Sequence, residues 1–331
     1  MDGSGTILVT GGAGYLGSHV CKALAANGYS PVAYDDLSTG SRDLVKWGPL
    51  ELGDIGDRER LAEMFIRVRP QAVIHLAALV VDPVSMFEPD NYYRTNVAGS
   101  LTLFRAMAEA GVDKLVYCSS AAAYGMPEEN PIDESQPLDA IIPYGTSKLM
   151  AERTLPDFAR AHNMDWMSLR VFNVAGADPE GEAGRPSLKD TDVVSATVRA
   201  ALGKGETLQI FGTDYETEDG TPVRDFVHVS DVAQAHVLAL GHVLNGDKSA
   251  IVNVGSGCGH SVKDVVAAVG RASGREVPVA DGPPRPGDPP VMVADISLAK
   301  EMLDWKPEHT DLDDMVATAW RWQMAACAHQ H

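Results

Sequence analysis

A tyrosine and a lysine four residues apart have the types and spacing that chemistry needs. The stretch IIPYGTSKLMAE carries Tyr144 and Lys148 directly after Pro143. Proline favours the first position of a helix, and side chains four residues apart share a helical face, about 5–6 Å from each other. A phenol is a poor base at neutral pH, but a neighbouring ammonium favours its phenolate form. The pair therefore predicts a tyrosine that acts as a general base.

A glycine-rich stretch near the N-terminus predicts a cofactor for this base. In TILVTGGAGYLGSHV, Gly11, Gly14 and Gly17 follow an apolar strand and precede a helical pattern. This order provides a tight turn, close approach of the backbone to a pyrophosphate, and a helix N-terminus directed at the anion. Asp35, or alternatively Asp36, ends the next strand, where a carboxylate binds ribose hydroxyls and repels a 2′-phosphate. The sequence therefore predicts a dinucleotide site that prefers NAD to NADP.

Short apolar runs that alternate with helical patterns must position these residues. The runs are nearly continuous rather than alternating, as is typical of parallel strands that are covered on both faces. Strands are predicted at 6–10, 31–35, 50–54, 72–77, 114–120 and 166–173, and helices at 14–27, 57–68, 84–110 and 144–162. This order predicts an α/β fold with a doubly wound parallel sheet. Ser119 and Ser120 end the fifth strand, so we expect Ser120 to converge with Tyr144 and Lys148 beside the nicotinamide.

The second half of the chain lacks this regular alternation. A Gly/Pro-rich loop begins near residue 178, a helix is expected near 192–203, and a Pro-rich stretch at 281–290 precedes a final helical tail. We interpret these pieces as a smaller substrate-binding α/β subdomain. The predicted division is a dinucleotide-binding domain of residues 1–178 and 224–254, and a substrate-binding subdomain of residues 179–223 and 255–331.

The composition argues against nucleic acid and membranes as partners. The 331 residues carry a formal net charge of −19, with 45% hydrophobic and 22% charged residues. Phosphate backbones and anionic lipids attract clustered Lys and Arg, which this balance does not favour. The four cysteines are scattered without a C-x-x-C motif or a Cys/His cluster, which predicts a reducing cytoplasm and no metal site. We also expect no signal peptide and no transmembrane segment.

Taken together, the motifs resemble those of the extended short-chain dehydrogenase/reductases, which have a Rossmann-like fold, and within them the UDP-glucose (UDP-galactose) 4-epimerase branch. The resemblance covers nearly the whole chain. Its motifs are GGAGYLGSH, GDI, NVAGS, SSAAAYG, YGTSK, RVFNVAGA, IFGTDYETEDGTPVRDFVHVSD and RPGD. The long segment from Ile210 is the most specific of these and points to the epimerase branch.

The resemblance implies an isomerase that contains NAD and acts on a nucleotide sugar. Tyr144 would remove the proton from the sugar O4 while hydride leaves C4 for NAD. Ser120 would hydrogen-bond to that oxygen, and Lys148 would bind the nicotinamide ribose and favour the phenolate. The 4-keto sugar would turn over in the site and receive the hydride on its other face. Because each cycle regenerates NAD, the cofactor should stay bound, and a homodimer is the family-level expectation.

The resemblance also supplies a wider set of predicted binding residues. For NAD these are Tyr15, Leu16, Ser38, Asp54, Ile55, Leu76, Ala77, Ala78, Asn96, Ser119 and Phe172, in addition to the glycines, the two aspartates, Tyr144 and Lys148. For the substrate they are Asn173, Asp192, Val193, Gln209, Phe211, Arg224, Arg285, Asp288 and Met292, in addition to Ser120 and Tyr144. The two arginines and Asn173 resemble diphosphate ligands, Phe211 the uracil neighbour, and Asp288 a ribose contact.

Four positions depart from the pattern of the family. Val80 replaces a basic residue near the cofactor, Val171 replaces a tyrosine, Asp192 stands where a neutral side chain faces the nucleotide, and Met292 replaces a tyrosine behind the sugar. Three of these surround the substrate. The alternatives are therefore a 4-epimerase of UDP-GlcNAc/UDP-GalNAc, of a pentose or of a uronic acid. Methionine is smaller in cross-section and more pliable than tyrosine, which is compatible with an N-acetylamino sugar.

The sequence argues against two further classes of protein. A related dehydratase branch needs an Asp-Glu pair after the hydroxyl residue of the SSAAAYG motif. This chain has Ala121 and Ala122 there, which disfavours elimination. A non-catalytic protein that senses NAD on the same fold would have no use for Ser120, Tyr144 and Lys148 together. We therefore expect an enzyme, and we interpret His75, which lies inside an apolar strand, as a core histidine.

Overall fold

The structure is a computed structural model that describes residues 5–186, 192–203, 207–285 and 287–328. Its strands are β1 (Thr6–Thr10), β2 (Ser30–Asp35), β3 (Leu50–Leu52), β4 (Ala72–His75), β5 (Lys114–Ser120), β6 (Asp165–Val171), β7 (Asn173–Ala175), β8 (Leu208–Phe211), β9 (Val223–His228), β10 (Ala250–Val254), β11 (Gly259–Ser261), β12 (Val279–Gly282) and β13 (Val291–Met292). Its helices are α1 (Tyr15–Ala26), α2 (Arg58–Val68), α3 (Asp82–Ser85), α4 (Pro89–Tyr92), α5 (Ser100–Ala110), α6 (Pro143–His162), α7 (Val193–Ala201), α8 (Val229–Leu244), α9 (Val262–Ser273), α10 (Ser297–Leu303) and α11 (Leu312–Ala328). None of the described helices is both long and apolar enough to cross a membrane.

Seven parallel strands form the central sheet, in the order β10-β6-β5-β4-β1-β2-β3. The order reverses at β1, so that a crevice opens between the carboxyl ends of β1 and β4. The predicted doubly wound parallel sheet is confirmed.

Both faces of this sheet are covered by helices, which explains the continuous apolar runs. Ile7 and Val9 of β1 point into a core that includes Val20 of α1 and Val232 of α8. Leu8, between them, points into the opposite core, formed mainly by α2 and α5. All three strand residues are fully buried, so each contributes about 1.5–3 kcal/mol relative to exposure.

A smaller assembly of strands and helices lies beside the central sheet. Strand β9 pairs with β7, β11 and β13, and β8 pairs with β12. Helices α7, α9 and α11 enclose a separate core around Val198, Val269 and Met315. These elements lie mostly in the second half of the chain, where we predict the substrate-binding subdomain. The division into residue ranges stays a prediction.

The region predicted as one helix at 84–110 is divided into shorter pieces. Helices α3 and α4 are followed by a π-helical turn over Tyr93–Gly99, and regular α-helix begins only at Ser100. Asn96 lies in the π-helical turn, and its side-chain amide bonds to the backbone N–H and carbonyl of Leu79 at 2.8 and 3.0 Å. The turn thus attaches the segment after β4 to the helix, which a continuous helical pattern does not reveal.

Candidate active site

Tyr144 and Lys148 lie on the first turns of α6, as their spacing predicts. Pro143 occupies the first turn, and Ile142 before it is extended. Lys148 is almost fully buried, and its ammonium lies 4.7 Å from the centroid of the Tyr117 ring. Burial lowers the pKa of the Lys148 ammonium below its usual range. The Tyr144 ring is partly buried and contacts the ring of Tyr92 edge to face, with centroids 6.4 Å apart.

Ser120 lies at the carboxyl end of β5, next to the start of α6. Its hydroxyl oxygen accepts a hydrogen bond from the N–H of Ala122 at 3.2 Å and begins a 3-10 turn over Ala121–Ala123. Gly145 packs so closely on this turn that an added Cβ would lie 2.5 Å from the Ala122 carbonyl oxygen. The first turn of α6 is therefore in contact with the turn that follows Ser120. The structure thus brings together the elements that carry Ser120, Tyr144 and Lys148, the three predicted catalytic residues, which we call the catalytic trio.

The glycine loop between β1 and α1 is packed so closely against its neighbours that most of its glycines have no room for a side chain. Gly11 has a φ of +71°, in the region that favours glycine, and an added Cβ on Gly17 would lie 2.0 Å from the Gly11 carbonyl oxygen. Gly14 is the N-cap residue of α1, and Tyr15 and Leu16 begin the helix. The helix N-terminus is thus preceded by a loop without bulky side chains, which fits the diphosphate of a dinucleotide.

Asp35 and Asp36 differ in their surroundings at the end of β2. The carboxylate of Asp35 is buried and accepts hydrogen bonds from the N–H groups of Ala13, at 3.0 Å, and Leu37, at 2.8 Å. Burial raises the pKa of Asp35, and these two hydrogen bonds oppose that shift. Asp36 is exposed and accepts from the N–H and hydroxyl of Ser38. Asp35 therefore holds the glycine loop against β2, and its contact with a ribose stays a prediction.

Other predicted NAD residues line the same edge of the sheet. The Asp54 carboxylate accepts from the N–H of Gly56 at 2.7 Å, and Ile55 beside it is buried. Leu76, Ala77 and Ala78 follow β4 and are partly exposed, whereas Phe172, after β6, is buried. The amide of Asn96 also donates to the Ser147 hydroxyl at 3.0 Å, next to Lys148 in sequence.

Ser119 carries a buried hydroxyl that has no hydrogen-bond partner among the described residues. A buried polar atom that is left unpaired costs about 1–3 kcal/mol, so such an atom calls for a ligand or water. Ser119 lies directly before Ser120 at the carboxyl end of β5. Together with the glycine loop, this hydroxyl shows that the residues present fit a bound dinucleotide.

Two of the predicted diphosphate ligands, Arg224 and Arg285, each contact another predicted substrate residue, on β8, on β9 and in the loop before β13. The guanidinium of Arg224 pairs with the Asp288 carboxylate and donates to the Val223 carbonyl oxygen at 2.7 Å. The guanidinium of Arg285 stacks over the Phe211 ring, 4.2 Å from its centroid. These four predicted substrate residues therefore occur as two contacting pairs. Pro286, within the RPGD motif, lies outside the described residues.

The other predicted substrate residues lie on neighbouring strands and at the start of α7. Met292 is directly opposite Arg224 in the β13–β9 pairing. Gln209 of β8 and Asn173 of β7 are exposed, and Val193 is half-buried at the first position of α7.

Asp192 has a structural partner that the sequence did not indicate. One carboxylate oxygen caps α7 by accepting from the N–H of Ser195 at 3.0 Å, and the other lies 3.4 Å from Nε of Arg185. The Arg185 guanidinium also stacks over the ring of Tyr15, 4.2 Å from its centroid. The acidic charge at position 192 is therefore balanced by a cation, and Arg185 connects the start of α7 to the start of α1.

Sequence reasoning missed one further polar group, a buried arginine in the strand beside the trio. Arg170 lies inside the apolar run WMSLRVFN and forms an ion pair with Glu152 of α6 at 2.7 Å. A charged residue within a buried strand is the signal that could have revealed it, since such charges are paired. His75, by contrast, is buried as a core histidine, with its ring nitrogens 2.7 Å from the Thr10 hydroxyl and 2.8 Å from the Ser100 hydroxyl.

Comparisons with known proteins show which family this chain matches and which proteins it is similar to. Residues 7–255 match the model of the NAD dependent epimerase/dehydratase family. A UDP-glucose 4-epimerase of Azospirillum brasilense is 48% identical over 318 residues, which cover 96% of this chain and 91% of that protein. The crystal structure of UDP-glucose 4-epimerase from Brucella ovis in complex with NAD has a TM-score of 0.94 and 43% identity, covering 96% of this chain and 98% of that one. A UDP-glucose-4-epimerase from Stenotrophomonas maltophila, with bound NAD and formylated UDP-arabinopyranose, has a TM-score of 0.94 and 38% identity, covering 98% and 100%.

Proposed function

Because this chain belongs to the NAD dependent epimerase/dehydratase family, we propose that it is an NAD-dependent UDP-glucose 4-epimerase, an isomerase that interconverts UDP-glucose and UDP-galactose. The proposal depends on one observation: the turn after Ser120 contacts the start of α6, and both the Ser120 turn and the glycine loop follow strands of the same parallel sheet. The resemblance drawn from the motifs is confirmed by the family match and by the 4-epimerase relatives.

The proposed reaction uses each residue of the catalytic trio differently. The Tyr144 phenolate takes the proton from the sugar O4 and later returns it, while the Ser120 hydroxyl hydrogen-bonds to the same oxygen. Lys148, buried one helical turn away, holds a positive charge that favours the phenolate and binds the nicotinamide ribose. The chemistry that NAD supplies when bound is reversible, transient oxidation of C4 to a 4-keto sugar, with hydride return to either face. No proton acceptor from solvent is required, since Tyr144 serves in both directions.

We propose that the nucleotide binds at the Arg224–Asp288 and Arg285–Phe211 pairs, which lie on β8, on β9 and in the loop before β13. Arg224 and Arg285 would supply two guanidiniums to a diphosphate, and Asn173 of β7 would supply its side-chain amide. These groups act locally despite the net charge of −19. Phe211 would stack on the uracil, and Asp288 would accept from the ribose. The ion pair between Arg224 and Asp288 keeps both side chains oriented before substrate arrives.

The positions at which this chain departs from the family pattern bear on the identity of the sugar. Met292 lies beside Arg224, where the family pattern has a tyrosine, and Val193 and Asp192 lie at the start of α7. A pliable side chain at position 292 supports a second candidate function, epimerisation of UDP-GlcNAc and UDP-GalNAc. Pentose and uronic acid substrates are further alternatives, and one structural neighbour holds formylated UDP-arabinopyranose.

Three further proposals concern the metabolic role, the oligomeric state and the location of the protein. We propose a role in galactose metabolism from the substrate, a homodimer from the family resemblance, and a cytoplasmic location from the four cysteines, which are thiols rather than disulfides.

The test is to incubate the purified protein, without added cofactor, with a panel of UDP-sugars and to follow their anomeric protons by NMR. We expect UDP-glucose and UDP-galactose to interconvert, because resident NAD is regenerated in each cycle. A protein that contains NAD but converts no sugar of the panel would instead support an NAD-sensing role without turnover. Conversion of UDP-glucose with no conversion of UDP-GlcNAc would reject the second candidate function.

A further inference from the structure

A single buried guanidinium contacts both elements that carry the catalytic trio. Arg170 of β6 donates from Nη2 to Oε1 of Glu152 at 2.7 Å and from Nε to the same oxygen at 3.2 Å. Both side chains are only 2% exposed. Glu152 lies on α6, four residues after Lys148 and eight after Tyr144, so the three side chains follow one face of the helix. The Arg170 guanidinium is therefore bonded to the same helix face that carries Tyr144 and Lys148.

The other side of the same guanidinium reaches the turn after Ser120. Its Nη1 donates to the hydroxyl of Tyr124 at 3.0 Å, and its central carbon lies 4.9 Å from the centroid of that ring. Tyr124 is the C-cap residue of the 3-10 turn that Ser120 begins. The Tyr124 hydroxyl donates in turn to the side chain of Asn253 on β10 at 2.7 Å. Arg170 thus connects the Ser120 turn with α6 through side chains alone.

The buried Arg170–Glu152 ion pair is not explained by stability alone. Burying two charges carries a desolvation cost that can exceed their mutual attraction, and apolar residues of similar volume are often as stable. Each guanidinium nitrogen of Arg170 and each carboxylate oxygen of Glu152 nevertheless has a hydrogen-bond partner, because the Ser168 hydroxyl donates to the second Glu152 oxygen at 2.9 Å. A satisfied buried ion pair restricts the relative position of the elements that it joins more than an apolar contact does.

We propose that Arg170 and Glu152 are positioning residues, which fix the Ser120 hydroxyl relative to Tyr144 and Lys148 during epimerisation. The inference rests on the proposed function, since it concerns the geometry of that reaction. A displacement of about 1 Å between reacting groups can lower a rate about 10²-fold, even when substrate binding is unchanged. The pair is predicted to affect kcat and to leave the binding of NAD and nucleotide sugar intact.

The test is the Glu152→Gln variant, which keeps the shape of the side chain and removes its charge. We expect the bound dinucleotide to be retained and the KM for UDP-galactose to change less than about 3-fold, while kcat falls about 10- to 100-fold. Asp231→Asn is the matched control, because Asp231 is a buried carboxylate that accepts hydrogen bonds from the N–H groups of Glu308 and His309. That control should lose stability without a change in kcat.

A milder variant keeps the test decisive if Glu152→Gln does not fold. Tyr124→Phe leaves the ion pair intact and removes only the hydroxyl that the guanidinium binds, so kcat should fall about 3- to 10-fold at unchanged KM. Wild-type kcat in a folded variant that retains its dinucleotide would overturn the positioning role. The wild-type protein separates this outcome from a failure of the proposed function. If the wild type epimerises no UDP-sugar, the proposed function is wrong; if it does and the variants keep its kcat, only the positioning role is wrong.

Discussion

A Cβ atom added to Gly17 would lie 2.0 Å from the carbonyl oxygen of Gly11. The two glycines are six residues apart, on either side of the turn that leads from β1 into α1. The contact brings the start of the helix against the end of the strand, and it leaves the backbone of the loop uncovered for a diphosphate.

We predict that Gly17→Ala releases the cofactor. The neighbouring atom is backbone, which cannot move aside as a flexible side chain would, so the start of α1 must shift away from β1. The dinucleotide that is freed on denaturation, measured by chromatography, should fall at least about 10-fold per mole of protein. Gly270→Ala is the matched control, because its Cβ would have its nearest neighbour at 3.6 Å and should leave the dinucleotide content unchanged. Full retention in Gly17→Ala would contradict the assignment of the loop.

We predict an alkaline limit on activity that is set by Lys148. Burial lowers the pKa of this ammonium, so it loses its proton at a lower pH than an ordinary lysine, whose pKa is about 10.4. Its positive charge, and with it the support for the phenolate, should be lost as the pH rises through this lowered pKa. A profile of kcat against pH should therefore decline with a midpoint below about 10.4.

The Lys148→Arg variant checks this assignment, because a guanidinium keeps its charge at every pH of the profile. Any activity that the variant retains should lack the alkaline decline. Lys300→Arg, on the exposed face of α10, serves as the control and should keep the wild-type profile. An identical decline in Lys148→Arg would show that another group causes it.

We predict that Met292→Tyr narrows the range of sugars. Met292 pairs with Arg224 across β13 and β9, and a rigid ring at this position would fill space behind the sugar. Turnover of UDP-GlcNAc relative to UDP-glucose, followed by NMR, should fall about 10-fold or more, since a clash in a packed pocket costs about 1–3 kcal/mol. Met324→Tyr, an exposed position on α11, is the control. An unchanged ratio would mean that Met292 does not contact the sugar.

The parts of the fold that follow local rules could be predicted from the sequence. Ile7, Leu8 and Val9 are all fully buried, so β1 is readable as a continuous apolar run. The glycine spacing and the Tyr144–Lys148 pair are likewise local patterns, and the structure has both on the expected elements.

The parts that depend on distant contacts could not be predicted. Helix α8 (Val229–Leu244) was missed because it packs against α1 and the sheet, so few of its residues face water and the polar stripe of a surface helix is absent. The Arg224–Asp288 pair joins residues 64 positions apart. Arg170 gave a local signal, but its partners Tyr124 and Glu152 come from two other elements, which only the folded chain brings together.

The central claim is that Tyr144 moves a proton between itself and the sugar while resident NAD exchanges hydride with C4. The most direct test compares wild type and Tyr144→Phe, both without added cofactor, by NMR of UDP-galactose. We predict that the variant keeps its dinucleotide and that its epimerisation rate falls about 100-fold or more, because only the hydroxyl of the base is removed. Epimerisation by Tyr144→Phe within a few-fold of the wild-type rate would contradict the account.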